Sequence, residues 1–197
     1  MVSDFLVASQ LHAGLRIAVD DGVELRPWRL EDAELLYVTV EANRERLEEW
    51  LPWPSTMQSA SDEASFIRQT QDWMREGTGL GCALVVDRTI AGGIGVHKID
   101  SVNRSGEIGY WLAEGFVGRG VMTRSTQALT SFAFEELGLH RVAIRAATGN
   151  ARSRAIPMRL GFTHEGTERE SNVLNGEFIS LETYSMLSTE WVPSAGD

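Results

Sequence analysis

Two glycines separated by one arginine, Gly118 and Gly120, lie at the start of a stretch whose apolar residues recur with helical spacing up to Leu137. A glycine-rich turn at a helix N-terminus leaves backbone N–H groups uncovered at the positive end of the helix dipole. Such a terminus binds anions, and pyrophosphate is a well-suited one. The spacing therefore predicts a phosphate-binding loop that opens a long helix.

Two familiar phosphate-binding motifs do not fit this segment. A P-loop requires Gly-Lys-Ser or Gly-Lys-Thr, and the sequence contains neither. A Rossmann fingerprint requires a third glycine, where Thr123 stands, and an acidic residue at the end of the next strand, where Ala146 to Thr148 stand. Both nucleotide-binding interpretations are excluded.

A third motif agrees better. The segment from Val117 to Met122 resembles the Gln/Arg-x-x-Gly-x-Gly/Ala loop of the GNAT acetyltransferase superfamily, which holds the pyrophosphate of acetyl-CoA on backbone amides. Val117 and Met122 depart from that pattern at its two ends. Because main-chain N–H groups make the contact, Gly118 and Gly120 matter more than the departing side chains.

Three further segments resemble the same superfamily. Asn150 to Ser153 followed by Leu160 to Phe162 is similar to the block that closes its cofactor site. Trp50 to Trp53 and Gly109 to Leu112 resemble the RimJ/RimL branch, which acetylates the N-terminal amine of ribosomal proteins. The resemblance covers residues 23–187, nearly the whole chain.

The resemblance implies acetyl-CoA as cosubstrate. Backbone groups of Trp111 to Ala113 would face the pantetheine arm and the thioester oxygen, on a strand that splays from its neighbour. Asn150 would orient the pantetheine arm or cap the short helix that follows it. The predicted cofactor-binding residues are Trp111, Leu112, Ala113, Val117, Gly118, Arg119, Gly120, Val121, Met122, Thr123, Asn150 and Ser153.

Acetyl transfer from a thioester needs an acid for the departing thiolate. Many members of the superfamily place a tyrosine seven residues after the asparagine, but here Pro157 occupies that position and has no proton to give. In RimL-like enzymes the corresponding serine is proposed to protonate the thiolate, so Ser153 is the predicted catalytic acid. The alternative is that Ser153 only starts the helix and hydrogen-bonds the cofactor.

A base for the incoming ammonium is also expected. Glu107 matches the position of the glutamate base in histone-type members, although it could equally be an ordinary strand residue. Glu170 is the reserve candidate, in a segment with Glu168 and Asn172 that shapes the acceptor site. An N-terminal amine has a pKa near ~8, so water alone could also serve. His97 is a possible base, but a lone strand histidine is more often structural.

These residues need a scaffold of mixed helices and strands. The order of elements predicts an α/β protein with a mixed sheet flanked by helices. The resemblance implies the GNAT fold: a single, mostly antiparallel sheet, with the glycine-rich loop opening the central helix. The connection between residues 51 and 60 should shape the acceptor groove, with Trp50, Trp53 and Tyr110 lining its entrance or packing in the core. The predicted strands are 23–27, 82–86, 90–98, 106–112, 141–147 and a final hairpin turning at Asn175-Gly176; the predicted helices are 31–50, a helix starting at Ser61, 120–137 and 151–160.

Composition narrows the class of protein. The 197 residues carry 18 Lys+Arg against 28 Asp+Glu, a formal charge of −10 that argues against nucleic-acid binding. The same charge favours a cationic substrate or merely solubility. Cys82 is the single cysteine, which predicts a reducing cytoplasm and a buried, unreactive thiol. No signal peptide, membrane span or metal-ligand cluster is expected.

The sequence thus predicts an N-terminal extension at 1–20, an acetyltransferase domain at 21–190 and a tail at 191–197. The predicted reaction is direct transfer of acetyl from acetyl-CoA to the N-terminal α-amine of a protein, plausibly a ribosomal one. The alternatives are acetylation of a small amine, such as a polyamine, amino acid or aminoglycoside, and a non-catalytic CoA-binding module. A homodimer is implied by the resemblance alone.

Overall fold

The structure is a computed structural model in which residues 14–192 are described. One eight-stranded sheet runs through it in the order β1-β2-β3-β4-β5-β6-β8-β7. All neighbouring strands are antiparallel except β5 and β6, which are parallel. The strands are β1 Ile17–Asp20, β2 Val23–Pro27, β3 Leu80–Val86, β4 Thr89–Asp100, β5 Ser105–Leu112, β6 Arg141–Ala147, β7 Thr163–Leu174 and β8 Glu177–Leu187.

Five α-helices cover the two faces of this sheet. Alternate residues of β3 divide between two buried clusters, with Leu84 in one and Ala83 and Val85 in the other, so the clusters lie on opposite faces. The first cluster includes residues of α4 and α5, and the second includes residues of α1, α2 and α3. The predicted mixed sheet with flanking helices is confirmed. The helices are α1 Ala33–Glu41, α2 Arg44–Glu48, α3 Ala60–Glu76, α4 Val121–Glu135 and α5 Ala151–Arg159.

The predicted helix over residues 31–50 is wrong in its continuity. It is divided into α1 and α2 at Asn43, whose backbone leaves the helical region with φ −122° and ψ 7°. The Asn43 side chain explains the break, because its Nδ2 donates to the carbonyl of Thr39 and its Oδ1 accepts from the N–H of Glu114. An amide side chain that bonds nearby backbone competes with helix continuation.

Two further boundaries differ from prediction. A short strand, β1, precedes the predicted first strand and pairs with β2, so the sheet begins inside the predicted 1–20 extension. Residues 1–13 of that extension and 193–197 of the predicted tail lie outside the described residues. Helix α3 begins at Ala60, one residue before Ser61, because Ser59 is its N-cap and accepts from the N–H of Asp62. The predicted turn at Asn175-Gly176 is confirmed between β7 and β8.

Candidate active site

Strands β5 and β6 separate after only three paired positions. Their pairing covers Ser105 to Glu107 on β5 and Arg141 to Ala143 on β6. Beyond these pairs, β5 stays paired with β4 as far as Leu112, and β6 stays paired with β8 as far as Ala147. A gap therefore opens in the middle of the sheet between residues 108–112 and residues 144–147. This gap is the splay that the sequence predicted.

The hydrogen-bond alternation shows which backbone groups face this gap. The N–H of Ala113 donates to the carbonyl of Ala91, and its own carbonyl accepts from Phe116. Bonds in an antiparallel ladder alternate, so the main-chain groups of Trp111 also point to β4, whereas those of Tyr110 and Leu112 point into the gap. The Leu112 carbonyl is already taken by the guanidinium of Arg46. The N–H of Leu112 remains directed into the gap.

The start of α4 presents a row of free backbone donors. The first helical N–H bond is that of Arg124 to the carbonyl of Gly120, 3.1 Å long. Within residues 14–192, the N–H groups of 118–123 have no hydrogen-bond acceptor, and the N-cap residue, Gly120, has no side chain to supply one. The side chains of Val121 and Met122 are buried in the core, so these residues offer only their backbone. The terminus is suited to an anion.

Both glycines of this loop have left-handed backbone conformations, with φ +81° at Gly118 and +71° at Gly120. A Cβ on Gly120 would also lie 2.7 Å from Nη1 of Arg124, which donates to the carbonyl of Arg119. The exposed Arg119 guanidinium lies 5.5 Å from the ring centre of Phe116 and adds positive charge near the donors. Val117 and Thr123 complete the predicted loop; the side chain of Val117 is partly exposed.

Ser153 stands in the first turn of α5 and is held by two side chains. Oδ1 of Asn150 accepts from the Ser153 N–H at 3.0 Å, which caps the helix. Nδ2 of Asn150 makes no hydrogen bond within the described part of the chain, so it is left to donate to a ligand. The hydroxyl of Tyr110 donates to the Ser153 carbonyl at 3.0 Å and lies 3.4 Å from Oγ of Ser153. Since Tyr110 belongs to β5, these contacts bring α5 to the gap.

Glu107 stands where the gap begins and is shared by two cations. Its Oε2 lies 3.1 Å from Nζ of Lys98 and 3.0 Å from Nη2 of Arg145. Arg145 also contacts Glu168 at 3.2 Å, and Glu168 accepts from Thr183 at 2.8 Å. This network joins five strands across the row where β5–β6 pairing ends. Glu107 therefore bridges Lys98 and Arg145. To act as the predicted base, its carboxylate would have to accept a proton while it contacts these two cations.

The reserve candidate for the base, Glu170, is exposed and sits in an irregular part of β7. Its φ is +48°, the pairing register shifts between Glu168 and Asn172, and the Glu170 N–H donates to Oγ of Ser180 at 3.0 Å. The Thr183 hydrogen bond and the Arg145 charge lower the pKa of Glu168, which therefore stays ionised. The carboxylate of Glu170 is exposed, whereas that of Glu168 contacts Arg145 and Thr183.

His97 and Cys82 have structural surroundings. Burial lowers the pKa of His97, whose ring meets the edge of Trp73 at 5.8 Å between centroids. Cys82 is fully buried in β3, as predicted, and burial raises the pKa of its thiol to about 12. Among residues 14–192, no group of three or more His, Cys, Asp or Glu is arranged to hold a metal ion. No described helix is long and apolar enough to cross a membrane.

The tryptophans surround the gap from the side of α2. Trp53 packs on Trp111 with 5.8 Å between ring centroids, and Trp50 lies so close to Gly149 that a Cβ there would be 3.2 Å from its ring. Trp50 therefore stands beside the start of α5. These two contacts place the segment between α2 and α3 against β5 and the start of α5; its role in an acceptor groove stays a prediction.

Residues 23–163 match the family described as "Acetyltransferase (GNAT) domain". A match of this extent, on a sheet that splays beside an uncapped helix start, shows that the chain belongs to the GNAT acetyltransferase family. It is an acetyl-transferring enzyme, and the predicted family, fold class and enzyme class are confirmed.

Two curated relatives align along most of the chain. It is 40% identical to "Putative ribosomal N-acetyltransferase YdaF" of Bacillus subtilis (strain 168), over 88% of this chain and 95% of the relative. It is 26% identical to "Ribosomal-protein-serine acetyltransferase" of Escherichia coli (strain K12), over 87% of this chain and 96% of the relative.

Solved structures give the same picture. RimL, a ribosomal L7/L12 alpha-N-protein acetyltransferase solved in complex with coenzyme A, superposes with a TM-score of 0.85 at 26% identity, covering 88% of this chain and 98% of RimL. The Microcin C7 self immunity acetyltransferase MccE, solved with acetyl-CoA and AMP, superposes with a TM-score of 0.82 at 30% identity, covering 86% and 94%. Both neighbours hold the predicted kind of cosubstrate.

Sequence reasoning missed two residues that shape this site, Asn43 and Arg46, and it named Tyr110 without its contact to Ser153. Asn43 and Arg46, from α1–α2, hold the backbone of Glu114 and Leu112 at the end of β5. Tyr110 contacts Ser153 from the neighbouring strand. The only sequence signal for Asn43 and Arg46 was an interruption in the helical spacing of apolar residues. For Tyr110 the signal was Pro157, which has no N–H to bond the Ser153 carbonyl and so indicates that another residue must do so.

Proposed function

We propose that this protein transfers the acetyl group of acetyl-CoA to the N-terminal α-amine of a ribosomal protein. The observation that carries the proposal is the uncapped start of α4, whose N–H groups from Gly118 to Thr123 have no acceptor within the described residues. These donors suit the pyrophosphate of CoA, and the N–H of Leu112 suits the thioester oxygen. The names of the curated relatives support the acceptor class.

In the proposed reaction the amine nitrogen attacks the thioester carbon directly. A C–N bond forms, the C–S bond breaks, the nitrogen loses a proton to Glu107, the predicted base, or to Glu170 or water, and the sulfur gains one from Oγ of Ser153, which is replenished from solvent. No covalent enzyme intermediate is required. Ser153 is proposed as the acid because its hydroxyl stands at the gap beside Tyr110, and Nδ2 of Asn150 as a donor to the pantetheine arm.

The second candidate acceptor is a small amine. The structural similarity to MccE, solved with acetyl-CoA and AMP, favours it, because this acetyltransferase is named for self immunity to microcin C7 rather than for a ribosomal protein. The two candidates differ in what surrounds the amine. A protein N-terminus brings an extended backbone to the gap, and a small amine does not.

The test is a calorimetric titration with acetyl-CoA followed by thiol release against a panel of acceptors. The panel contains peptides with the N-terminal sequences of ribosomal proteins, the same peptides with a blocked α-amine but a free lysine, and polyamines, amino acids and aminoglycosides. We expect micromolar binding of acetyl-CoA, and thiol release only with the peptides that have a free α-amine. Turnover restricted to small amines would establish the second candidate, and tight binding without any turnover would establish a CoA-binding module.

A further inference from the structure

Pro157 leaves one helical carbonyl of α5 without its usual partner. In an α-helix the carbonyl of residue 153 accepts from the N–H of residue 157, and proline has no N–H. Pro157 is buried inside α5, and the carbonyl concerned is that of Ser153. Ser153 is half-buried, and a carbonyl shielded from water without a donor costs up to about 1–3 kcal/mol, so a replacement donor stabilises the helix at this point.

Tyr110 supplies that donor from the strand that lines the gap. Its hydroxyl donates to the Ser153 carbonyl at 3.0 Å, across 43 residues of sequence. Burial raises the pKa of Tyr110 to about 12, so the hydroxyl keeps its proton throughout the neutral range. The hydrogen bond is therefore permanent under working conditions rather than dependent on pH.

The same hydroxyl also meets the Ser153 side chain. Oγ of Ser153 lies 3.4 Å from the phenolic oxygen, which accepts because its own proton is committed to the carbonyl. With the N–H of Ser153 capped by Asn150 at 3.0 Å, all three polar groups of Ser153 are held by side chains. Two of the three depend on Tyr110.

We propose that Tyr110 is a positioning residue, which replaces the helix donor missing at Pro157 and thereby fixes Ser153 Oγ at the gap. The proposal rests on the proposed function, in which Ser153 protonates the departing thiolate. Tyr110 acts through Ser153 and transfers no proton to substrate. Its effect should therefore fall on the chemical step and leave the binding of acetyl-CoA unchanged.

The test is a cycle of Tyr110→Phe, Pro157→Ala and the double variant. Pro157→Ala restores an N–H four residues after Ser153, so it gives the carbonyl a helical donor that does not depend on Tyr110. We expect Tyr110→Phe to lower kcat roughly tenfold with KM and acetyl-CoA affinity within about twofold. The double variant should recover kcat to within about threefold of wild type, and Pro157→Ala alone should stay close to it.

A matched control is Tyr184→Phe. Tyr184 is buried and its hydroxyl meets Arg154 of the same helix at 3.3 Å, without contacting Ser153. We expect its kcat to stay within about twofold of wild type. A fall in Tyr184→Phe equal to that in Tyr110→Phe would overturn the proposal, since any hydroxyl on α5 would then matter.

The cycle separates this inference from the proposed function. An unchanged kcat in Tyr110→Phe, or a double variant as slow as Tyr110→Phe, overturns the positioning role while acetyl transfer stands. An absence of turnover in the wild type with every acceptor overturns both. Circular dichroism and the unfolding temperature are recorded for each variant, so that a kcat change caused by misfolding is recognised. If Tyr110→Phe misfolds, Tyr110→Trp serves as the second variant. It keeps an aromatic ring but directs its N–H elsewhere, so its kcat should be as low as that of Tyr110→Phe.

Discussion

The N-termini of α3 and α4 differ in whether side chains accept hydrogen bonds from their free backbone N–H groups. At α3, Oγ of Ser59 accepts from the N–H of Asp62, and Oδ2 of Asp62 accepts from Ser59 Oγ at 2.8 Å and from the N–H of Gln58 at 3.1 Å. At α4, Gly120 stands at the same position and offers no acceptor. At α3 a side chain accepts from a first-turn N–H, whereas at α4 no side chain within the described residues does.

The difference indicates that the first turn of α4, at the candidate active site, is locally less stable than the first turn of α3. A glycine N-cap in place of Ser or Asp costs a helix roughly a few tenths of a kcal/mol, and Gly118 and Gly120 lose more conformational entropy on folding than other residues would. Helix α4 tolerates this because its buried face, with Val121 and Leu129, packs into the main core. The stability of α4 therefore comes from packing, and its first turn is free to bind an anion.

The largest effect is expected at Gly120. Gly120→Ala strains a backbone at φ +71° and displaces Arg124 from the Arg119 carbonyl, so the N–H groups of the loop lose their common direction. We expect acetyl-CoA affinity, measured by calorimetry, to fall about 100-fold, or nearly 3 kcal/mol.

Gly77, which ends α3, is the matched control. Its φ is also +71°, and nothing lies within 4 Å of the position of an added Cβ. Gly77→Ala should lower the free energy of unfolding by about 1 kcal/mol through the same strain and leave the affinity for acetyl-CoA intact. Equal losses of affinity in the two variants would show that Gly120 matters for stability and not for the ligand.

The intermediate effect concerns a carboxyl group in the first turn of α3. Glu63 is almost fully buried, its Oε1 has no partner within the described residues, and burial raises its pKa to about 7. The folded protein therefore holds a proton between about pH 4.5 and 7 that the unfolded chain releases, so this contribution to stability is present at low pH and lost as pH rises through 7.

Glu63→Gln mimics the protonated acid at every pH. We expect the variant to exceed wild type in free energy of unfolding by about 2 kcal/mol at pH 8 and to match it near pH 4.5, as measured by denaturant titration. Glu76→Gln, an exposed change at the other end of α3, should show no such trend. A constant difference between Glu63→Gln and wild type across this range would contradict the buried-acid interpretation.

Features that depend on residues close together in the sequence could be predicted, and contacts between distant residues could not. The glycine loop, the Asn150–Ser153 helix start and the Asn175-Gly176 turn were predictable because each depends on residues within a few positions of one another. The contacts of Arg46 with Leu112, of Tyr110 with Ser153 and of Arg145 with Glu107 depend on strand register and helix packing. They join residues 38 to 66 positions apart, and no local pattern encodes them.

The smallest effect is expected at the N-cap of α3. Ser59 and Ser61 both lie near the start of α3, and sequence periodicity favoured Ser61 as the first residue. In the structure only Ser59 accepts a first-turn N–H, whereas Ser61 is exposed. Ser59→Ala should therefore lower the free energy of unfolding by about 1 kcal/mol, and Ser61→Ala, its matched control, by only a few tenths.

Neither serine variant should change the affinity for acetyl-CoA, because the donors at α3 serve the helix itself. Urea titration gives the two stabilities and calorimetry gives the affinities. A greater loss of stability in Ser61→Ala would place the helix start two residues later and remove the contrast with α4. A loss of affinity in Ser59→Ala would show that α3 contributes to the ligand site, because the cap would then act beyond its own helix.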